Sequence, residues 1–328
     1  MGSIPHLPRN CRGESGYKYG VLLGSAANIA ISSLGWIDGG NLWTFDAAAG
    51  RETTIPLGGA KYLSLHGGSD DHLAVVHHYD GPRVEITVHH SGRLAEPLAR
   101  AVVEPAGPTF SGDPEAWSHV AAHYTAFYAG PAWTDYALIR IDARSQRLEL
   151  QRFEWFDDTY DKGYQGIVGV TDVPGQALVL VTVQRSSTVV IHDPVNGRKV
   201  GTFKLAGTSG NPSLHFRRTA RELWAIDYDT ILRIEPGSWR ILKSRRLQRA
   251  GLLTGAQFVG SFWFDDMETR CLVARPFSGD VVALDSRTLK TVSACRTGQQ
   301  PLEAVALRDG RVIARDWKTG QLLRGALR

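Results

Sequence analysis

A short unit that recurs along the whole chain is the feature that most constrains its fold. Each copy has an alternating apolar strand, an acidic residue, a polar turn and, in most copies, a basic or amide residue five positions after the acid. The acids are Asp46, Asp142, Asp193, Glu235, Asp285 and Asp316, and the residues five positions later are Arg51, Arg147, Arg198, Arg240, Lys290 and Gln321. A seventh, degenerate copy at residues 84–93 carries His89 in place of the acid.

Each copy predicts a β-hairpin. A carboxylate at the end of a strand can accept hydrogen bonds from the backbone N–H groups of the turn that follows. Where a glycine is present, as at Gly50, Gly197 and Gly320, it supplies the left-handed conformation that closes the hairpin. The basic residue then begins the return strand.

The spacing of the copies predicts blades of four strands. Successive copies are irregularly spaced, many of them by roughly 40–50 residues, and helical periodicity is almost absent. Around Asp193 and Glu235 the predicted strands are residues 166–170, 177–184, 188–192 and 199–205, then 213–217, 222–227, 231–235 and 241–247. Residues 301–328 have room for three strands.

We therefore predict an all-β fold, a single β-propeller of seven four-stranded blades over residues 17–328. The terminal pieces would also allow six or eight blades. Residues 1–16 are an N-terminal extension that we expect to complete the last blade, because closure removes exposed sheet edges.

The pattern resembles repeat-type β-propellers with a strand–Asp–turn–Gly unit, the YVTN and quinoprotein-like group in a broad sense. The resemblance covers residues 17–328. The Trp-Asp dipeptide and Gly-His signature of WD-repeat propellers are missing, as is a regular kelch double glycine. Because propellers host binding modules, lyases, lactonases and dehydrogenase subunits, the resemblance implies a fold and no particular function.

Charge and composition disfavour several classes of partner. The net charge is only +4, and the densest basic stretch, residues 240–249, is typical of alternation on a strand, so no nucleic-acid partner is expected. No apolar run is long enough for a membrane span. The first residues lack an apolar signal segment, so we expect a cytoplasmic protein unless an export signal has been removed.

Known catalytic and cofactor motifs are missing from the sequence. Cys11, Cys271 and Cys295 form no Cys-x-x-Cys pair, which disfavours a disulfide framework and a thiolate zinc site. There is no P-loop, G-x-G-x-x-G, H-E-x-x-H, G-x-S-x-G or EF-hand loop. We expect no cofactor.

Histidines cluster between residues 66 and 123, where eight of the 11 lie. Imidazole is a common metal ligand. Pairing about the turn at residues 80–82 is expected to place His89 opposite Ala74, roughly 10 Å along the strand from His77. These side chains could not share one ion, so we predict polar strand faces and no metal site.

An aromatic and acidic segment is the strongest candidate site. Residues 155–164 hold four aromatics and three aspartates, and such a segment should pack or bind something. It joins an outer strand to the next inner strand, where loops gather at the propeller mouth, and the loop at residues 104–116 should lie beside it. The predicted ligand-binding residues are Trp117, Trp133, Asp135, Trp155, Asp157, Tyr160, Asp161, Tyr164 and Gln165. Alternatively, the aromatics fill gaps between blades.

Two functions remain open from the sequence. The first is a binding module that holds a small molecule or a protein at the channel mouth. The second is a channel-mouth enzyme, a hydrolase, lyase or cyclase. There His119 or His215, each near the start of an inner strand, would act as general acid or base with Asp158 or Glu303. The enzyme hypothesis predicts that these groups converge, whereas polar inner-strand residues could also simply face channel water.

Overall fold

The structure is a computed structural model. It describes residues 29–33, 41–46, 51–56, 62–67, 72–78, 84–90, 93, 95–103, 120–121, 124–129, 135–142, 147–153, 167–183, 187–193, 195–196, 198–205, 212–247, 259–260, 262–265, 267–298, 300–307, 310–316 and 322–328. All regular elements in these ranges are β-strands, and none of the ranges contains a helix long and apolar enough to cross a membrane.

The chain divides into two compact units. The first combines Met1–Leu63 with Arg245–Arg328, and the second is Ser64–Ser244. A single domain over residues 17–328 therefore stays a prediction.

The described strands of the first unit form antiparallel sheets in the orders β1-β2-β3, β20-β21-β22-β23 and β24-β25-β26. Their bounds are β1 Ile29–Ser33, β2 Asn41–Asp46, β3 Arg51–Pro56, β20 Phe262–Phe264, β21 Arg270–Arg275, β22 Asp280–Asp285, β23 Thr291–Arg296, β24 Pro301–Ala306, β25 Arg311–Asp316 and β26 Leu322–Ala326.

The other described strands form sheets of four, in the orders β4-β5-β6-β7, β11-β10-β9-β8, β12-β13-β14-β15 and β16-β17-β18-β19. Their bounds are β4 Tyr62–Gly67, β5 His72–His78, β6 Val84–His90, β7 Pro97–Val103, β8 Val120–Ala121, β9 Tyr124–Ala129, β10 Asp135–Asp142, β11 Arg147–Phe153, β12 Ile167–Val173, β13 Leu178–Val183, β14 Thr188–His192, β15 Lys199–Lys204, β16 Ser213–Arg217, β17 Glu222–Asp227, β18 Thr230–Ile234 and β19 Ile241–Arg246.

The predicted strands around Asp193 and Glu235 are confirmed as β12 to β19, with ends that differ by three residues or fewer. The three strands expected at the end of the chain are confirmed as β24 to β26. Among the described residues, two of the sheets have three strands rather than four. The blade number stays a prediction, and the closing role of residues 1–16 lies outside the described residues.

In the five copies whose acid and base are both described, these two residues lie directly opposite each other across the hairpin. Asp46 is the backbone partner of Arg51, and Asp142 that of Arg147. In the β22–β23 hairpin the N–H of Asp285 donates to the carbonyl of Lys290 at 2.8 Å. The acid and the residue five positions later are therefore the pair that closes a four-residue turn.

The carboxylates satisfy turn donors as predicted. Asp193 Oδ1 accepts from the N–H of Val195 at 2.8 Å, and Asp285 Oδ1 accepts from the N–H of Thr288 at 2.6 Å. The same arrangement also occurs at Asp265, in the turn between β20 and β21, a copy that the repeat search missed. The hairpin between the first two strands of this sheet, β20 and β21, thus uses the same carboxylate-to-turn hydrogen bonds as the hairpin between its last two strands, β22 and β23.

Residues other than glycine close some of these turns in the left-handed conformation. The residue four positions after the acid has a positive φ of 56° at Trp239 and 61° at Leu289. Side-chain packing accompanies this strain, because Leu289 is 1% exposed and the Trp239 ring stacks on Phe203 with centroids 4.9 Å apart. Such packing can hold an L-residue in the left-handed region.

The sheets bury their middle strands and expose their outer ones. Strands β17 and β22 are buried at nearly every position, whereas β15 alternates between exposed and half-buried residues. In the second unit, Leu180 and Leu223 belong to one apolar cluster, and in the first unit Leu272 and Val312 belong to another. Burial on both faces shows that neighbouring sheets pack against each other within each unit.

Gly260 marks the closest approach between two sheets of the first unit. Its N–H donates to the carbonyl of Ala274 at 2.9 Å. A Cβ at this position would lie 1.9 Å from the carbonyl oxygen of Leu302. The backbone at Leu302 begins β24 and cannot move without shifting that strand, so only glycine fits.

Gly260→Ala is expected to destabilise the protein by about 3 kcal/mol or more, because overpacking against backbone leaves no rotamer to relax. The matched control is Gly201→Ala on β15, where the nearest atom to an added Cβ is Ile191 Cδ1 at 3.9 Å. Urea unfolding followed by tryptophan fluorescence measures both. Equal midpoints for the two variants would contradict the close contact.

Asp285→Asn is expected to remove part of the acid sensitivity of the fold. Hydrogen bonds from the Thr288 side chain and backbone lower the pKa of Asp285 below its usual 3.8. A lowered folded-state pKa gives stability that is present above the unfolded pKa and is lost as pH falls through the folded pKa. The melting temperatures of wild type and variant should therefore differ most near neutral pH and converge below about pH 4. A difference in melting temperature that stays constant over this range would argue against a stabilising role for the ionised Asp285 carboxylate.

Candidate functional site

The two ends of the sheets in the second unit carry different connections. In β12–β15 and β16–β19, neighbouring strands are antiparallel, so the start of the first strand and the turn between the second and third strands share one end. We call this the upper end, with Ser187 and residues 227–230. The lower end carries the turns at residues 174–177, 193–198, 218–221 and 235–240.

A buried carboxylate joins two sheets at the upper end. Asp227, the last residue of β17, is 0% exposed, and its Oδ2 accepts from Ser187 Oγ at 2.8 Å. Ser187 directly precedes β14 of the neighbouring sheet. A second bond, from Thr171 Oγ1 to the carbonyl of Leu214 at 3.2 Å, links the first strands of the same two sheets. The Ser187–Asp227 bond therefore joins the two sheets at the upper end, and the Thr171–Leu214 bond joins them farther along β12.

The turn after Asp227 concentrates polar groups and strain. Tyr228 has a φ of 59°, and the carboxylate of buried Asp229 accepts from Thr230 Oγ1 at 3.0 Å. Burying a charged group is costly unless it is hydrogen-bonded, so these contacts keep the turn in one conformation. The upper end thus presents a rigid turn with two acidic residues.

Most of the predicted site lies outside the described residues. This applies to His119, Asp158, Trp117, Trp133, Trp155, Asp157, Tyr160, Asp161, Tyr164 and Gln165. Asp135 is the first residue of β10, and Ala129 is its backbone partner. The aromatic segment precedes β12 in the sequence, and β12 begins with Ile167 at the upper end. The ligand-binding roles of these residues stay predictions.

His215 lies on β16, the first strand of its sheet, as the sequence predicted. It is half-buried, and its backbone partner is the fully buried Trp224. Strand β16 packs against β12 of the neighbouring sheet. The position suits an inner strand, while the catalytic role stays a prediction.

Glu303 is engaged by a buried arginine. Its Oε2 accepts from Arg315 Nε at 2.9 Å, and the Arg315 side chain is 6% exposed. Nearby, Asp316 Oδ2 accepts at 2.8 Å from the N–H of Gln300, which directly precedes β24. Glu303 belongs to the first unit and His215 to the second, so their pairing as acid and base stays a prediction.

The register of the histidine hairpin differs from the prediction by one residue. His78 is the last partner of Val84, so His89 lies opposite Leu73 and not Ala74, while His77 lies opposite Glu85. The observed pairs are centred on position 81, half a residue earlier than a His89–Ala74 pair requires, so every partner differs by one residue. His89 Nε2 is 2.8 Å from Thr87 Oγ1. Within the described ranges no group of three or more His, Cys, Asp or Glu residues could hold a metal ion.

Sequence reasoning missed the polar bonds of the upper end. The signal was the run Asp227-Tyr228-Asp229-Thr230 between two apolar strands, where a tight turn places acids on both sides of one tyrosine. The role of Ser187 had no local signal, because its partner lies 40 residues away in the next sheet.

Comparison with solved structures shows the β-propeller fold. The chain is similar to the β-propeller domain of Cps50 (Swd1) from Myceliophteria thermophila, with 11% identity, a TM-score of 0.62, and coverage of 95% of this chain and 97% of that one. It is also similar to apo AztD from Citrobacter koseri, with 13% identity, a TM-score of 0.52, and coverage of 87% and 88%. At this identity the likeness concerns the fold alone.

The class of this protein is therefore that of the β-propellers, as the repeat predicted. No protein-family model matches the chain, and no curated protein matches it.

Asp227→Ala is expected to destabilise the fold by about 2–3 kcal/mol, because Ser187 and the turn lose a buried acceptor. Ser187→Ala should cost about 1 kcal/mol. In a double-mutant cycle the two changes should couple, as residues in contact do. The control is Ser244→Ala, an exposed serine of β19. Strictly additive effects in urea unfolding would show that the contact contributes nothing.

Proposed function

We propose that this protein is a β-propeller binding module that holds a small molecule or a protein at its upper end. The observation that carries the proposal is the bond between Ser187 and Asp227, which ties neighbouring sheets together at this end. A rigid end of this kind suits the display of long connecting segments, and binding residues concentrate on loops held by a rigid scaffold.

The chemistry of residues 155–164 supports a polar small-molecule ligand. Its aromatic residues can stack on sugar faces or on cations, and its carboxylates can accept from hydroxyls or pair with ammonium groups. These groups together favour a polyhydroxylated or cationic ligand over an anionic one.

A channel-mouth enzyme that uses His119 or His215 with Asp158 or Glu303 is the alternative. It would be a hydrolase, lyase or cyclase. The described contacts support it less, because Glu303 already pairs with the buried guanidinium of Arg315. Replacing such a contact during turnover would leave that arginine without its charge partner, which is costly in a buried site.

A thermal-shift screen with sugars, amines, metals, nucleotides and common metabolites tests the binding proposal. A ligand that binds only the folded state raises the melting temperature. We expect a sugar or amine hit that Trp155→Ala and Asp158→Ala each abolish. Met267→Ala is the control, because Met267 is exposed in the β20–β21 turn. A hit that survives both site variants would refute the assignment to the upper end, as would silence across the screen together with a failed protein pull-down.

A further inference from the structure

The lower end of the second unit is rich in arginine. Exposed arginines lie in three of its turns, at Arg198, Arg218, Arg221 and Arg240. Two more, Arg217 and Arg233, lie beneath them and are largely buried. This surface was not expected from the sequence, where the basic residues appeared to be spread along strands.

Acidic residues at this end neutralise only part of the charge. Glu222 serves two arginines, since its Oε2 lies 3.3 Å from Arg217 Nη1 and accepts from Arg233 Nε at 3.0 Å. Glu235 pairs with the exposed Arg240 at 3.4 Å, a kind of contact that contributes little. The turns at residues 193–198, 218–221 and 235–240 together hold two acids and four arginines, so their formal charge is positive.

The excess of arginines over acidic residues is not required for these turns to form. In the first unit the turn at residues 265–270 uses the same acid-to-base closure, and there three acids accompany one base. The β21–β22 turn has Gly279 with a φ of 67° at the position where the β16–β17 turn has Arg221 with a φ of 51°. Arginine is strained there and glycine is not, so the arginine is present despite a conformational cost.

Neighbouring turns at this end lie against one another. A Cβ on Gly175 would be 3.5 Å from Arg221 Nη2, and one on Gly237 would be 3.5 Å from Gln176 Nε2. The turns at residues 174–177, 218–221 and 235–240 therefore form one surface. Its guanidinium groups can each bind a carboxylate in bidentate fashion.

We propose that the lower end of the second unit binds an acidic segment of a partner protein. Beside Arg198, Val195 is 75% exposed and Val200 is 59% exposed, so the surface also offers apolar contacts that a peptide with acidic and apolar side chains would match. Single-stranded nucleic acid requires exposed rings for base stacking. Trp239, the aromatic residue described in these turns, is half-buried and stacks on Phe203. This site is separate from the upper end.

Fluorescence anisotropy with the full chain and a labelled peptide of alternating glutamate and valine tests the proposal. We expect binding that weakens as salt rises. The Arg218→Glu/Arg221→Glu variant should bind the peptide at least about tenfold more weakly than wild type. The matched control is Arg296→Glu/Arg324→Glu, which changes the net charge equally at exposed positions of the first unit. Its affinity should stay within about twofold of wild type, since neither residue belongs to the lower-end turns.

Two results would overturn the proposal. Equal loss in both double variants would assign the binding to net charge, and tighter binding of duplex DNA or single-stranded RNA at the same salt would assign the surface to nucleic acid. If the glutamate variant melts early, Arg218→Gln/Arg221→Gly replaces it, because glycine suits the positive φ of that position. Peptide affinity that is unchanged in this folded variant also refutes the proposal.

Discussion

The sheets depend on a four-residue turn that follows an acid and whose last residue has a left-handed backbone conformation. At Asp285 the carboxylate accepts from the turn while its own N–H pairs with Lys290 across the hairpin. Because this geometry sets the register of both flanking strands, it also decides which side chains enter the core. The same last-position strain occurs at Leu289 and Trp239, so the turn is determined by its hydrogen bonds and packing more than by glycine.

Packing between sheets adds a second constraint, which acts at particular atoms. Gly260 lets the backbone of its neighbour at Leu302 approach to a distance that no side chain permits. At the upper end, the Asp227 carboxylate is buried and bonded to Ser187 of the next sheet. Apolar burial is non-directional, whereas these contacts fix how one sheet lies on the next within its unit.

The two ends of the second unit differ in chemistry. The upper end has buried acids at Asp227 and Asp229, and the proposed ligand site lies at this end. The lower end has exposed arginines such as Arg218 and Arg221, which suit carboxylates. A rigid β-sheet framework lets such surfaces vary independently, because the turns project from strands that are held by the core.

Local patterns in the sequence were sufficient for the strands, the hairpins and the propeller class, because alternation and turn chemistry act between neighbouring residues. The strands from Ile167 to Arg246 could be predicted almost residue by residue. The pairing of Glu303 with Arg315, the partner of Ser187 and the joining of arginines into one surface could not, and the histidine register was wrong by one residue. Those features depend on contacts between residues distant in the chain, or on the position at which a hairpin is centred, which only the folded backbone sets.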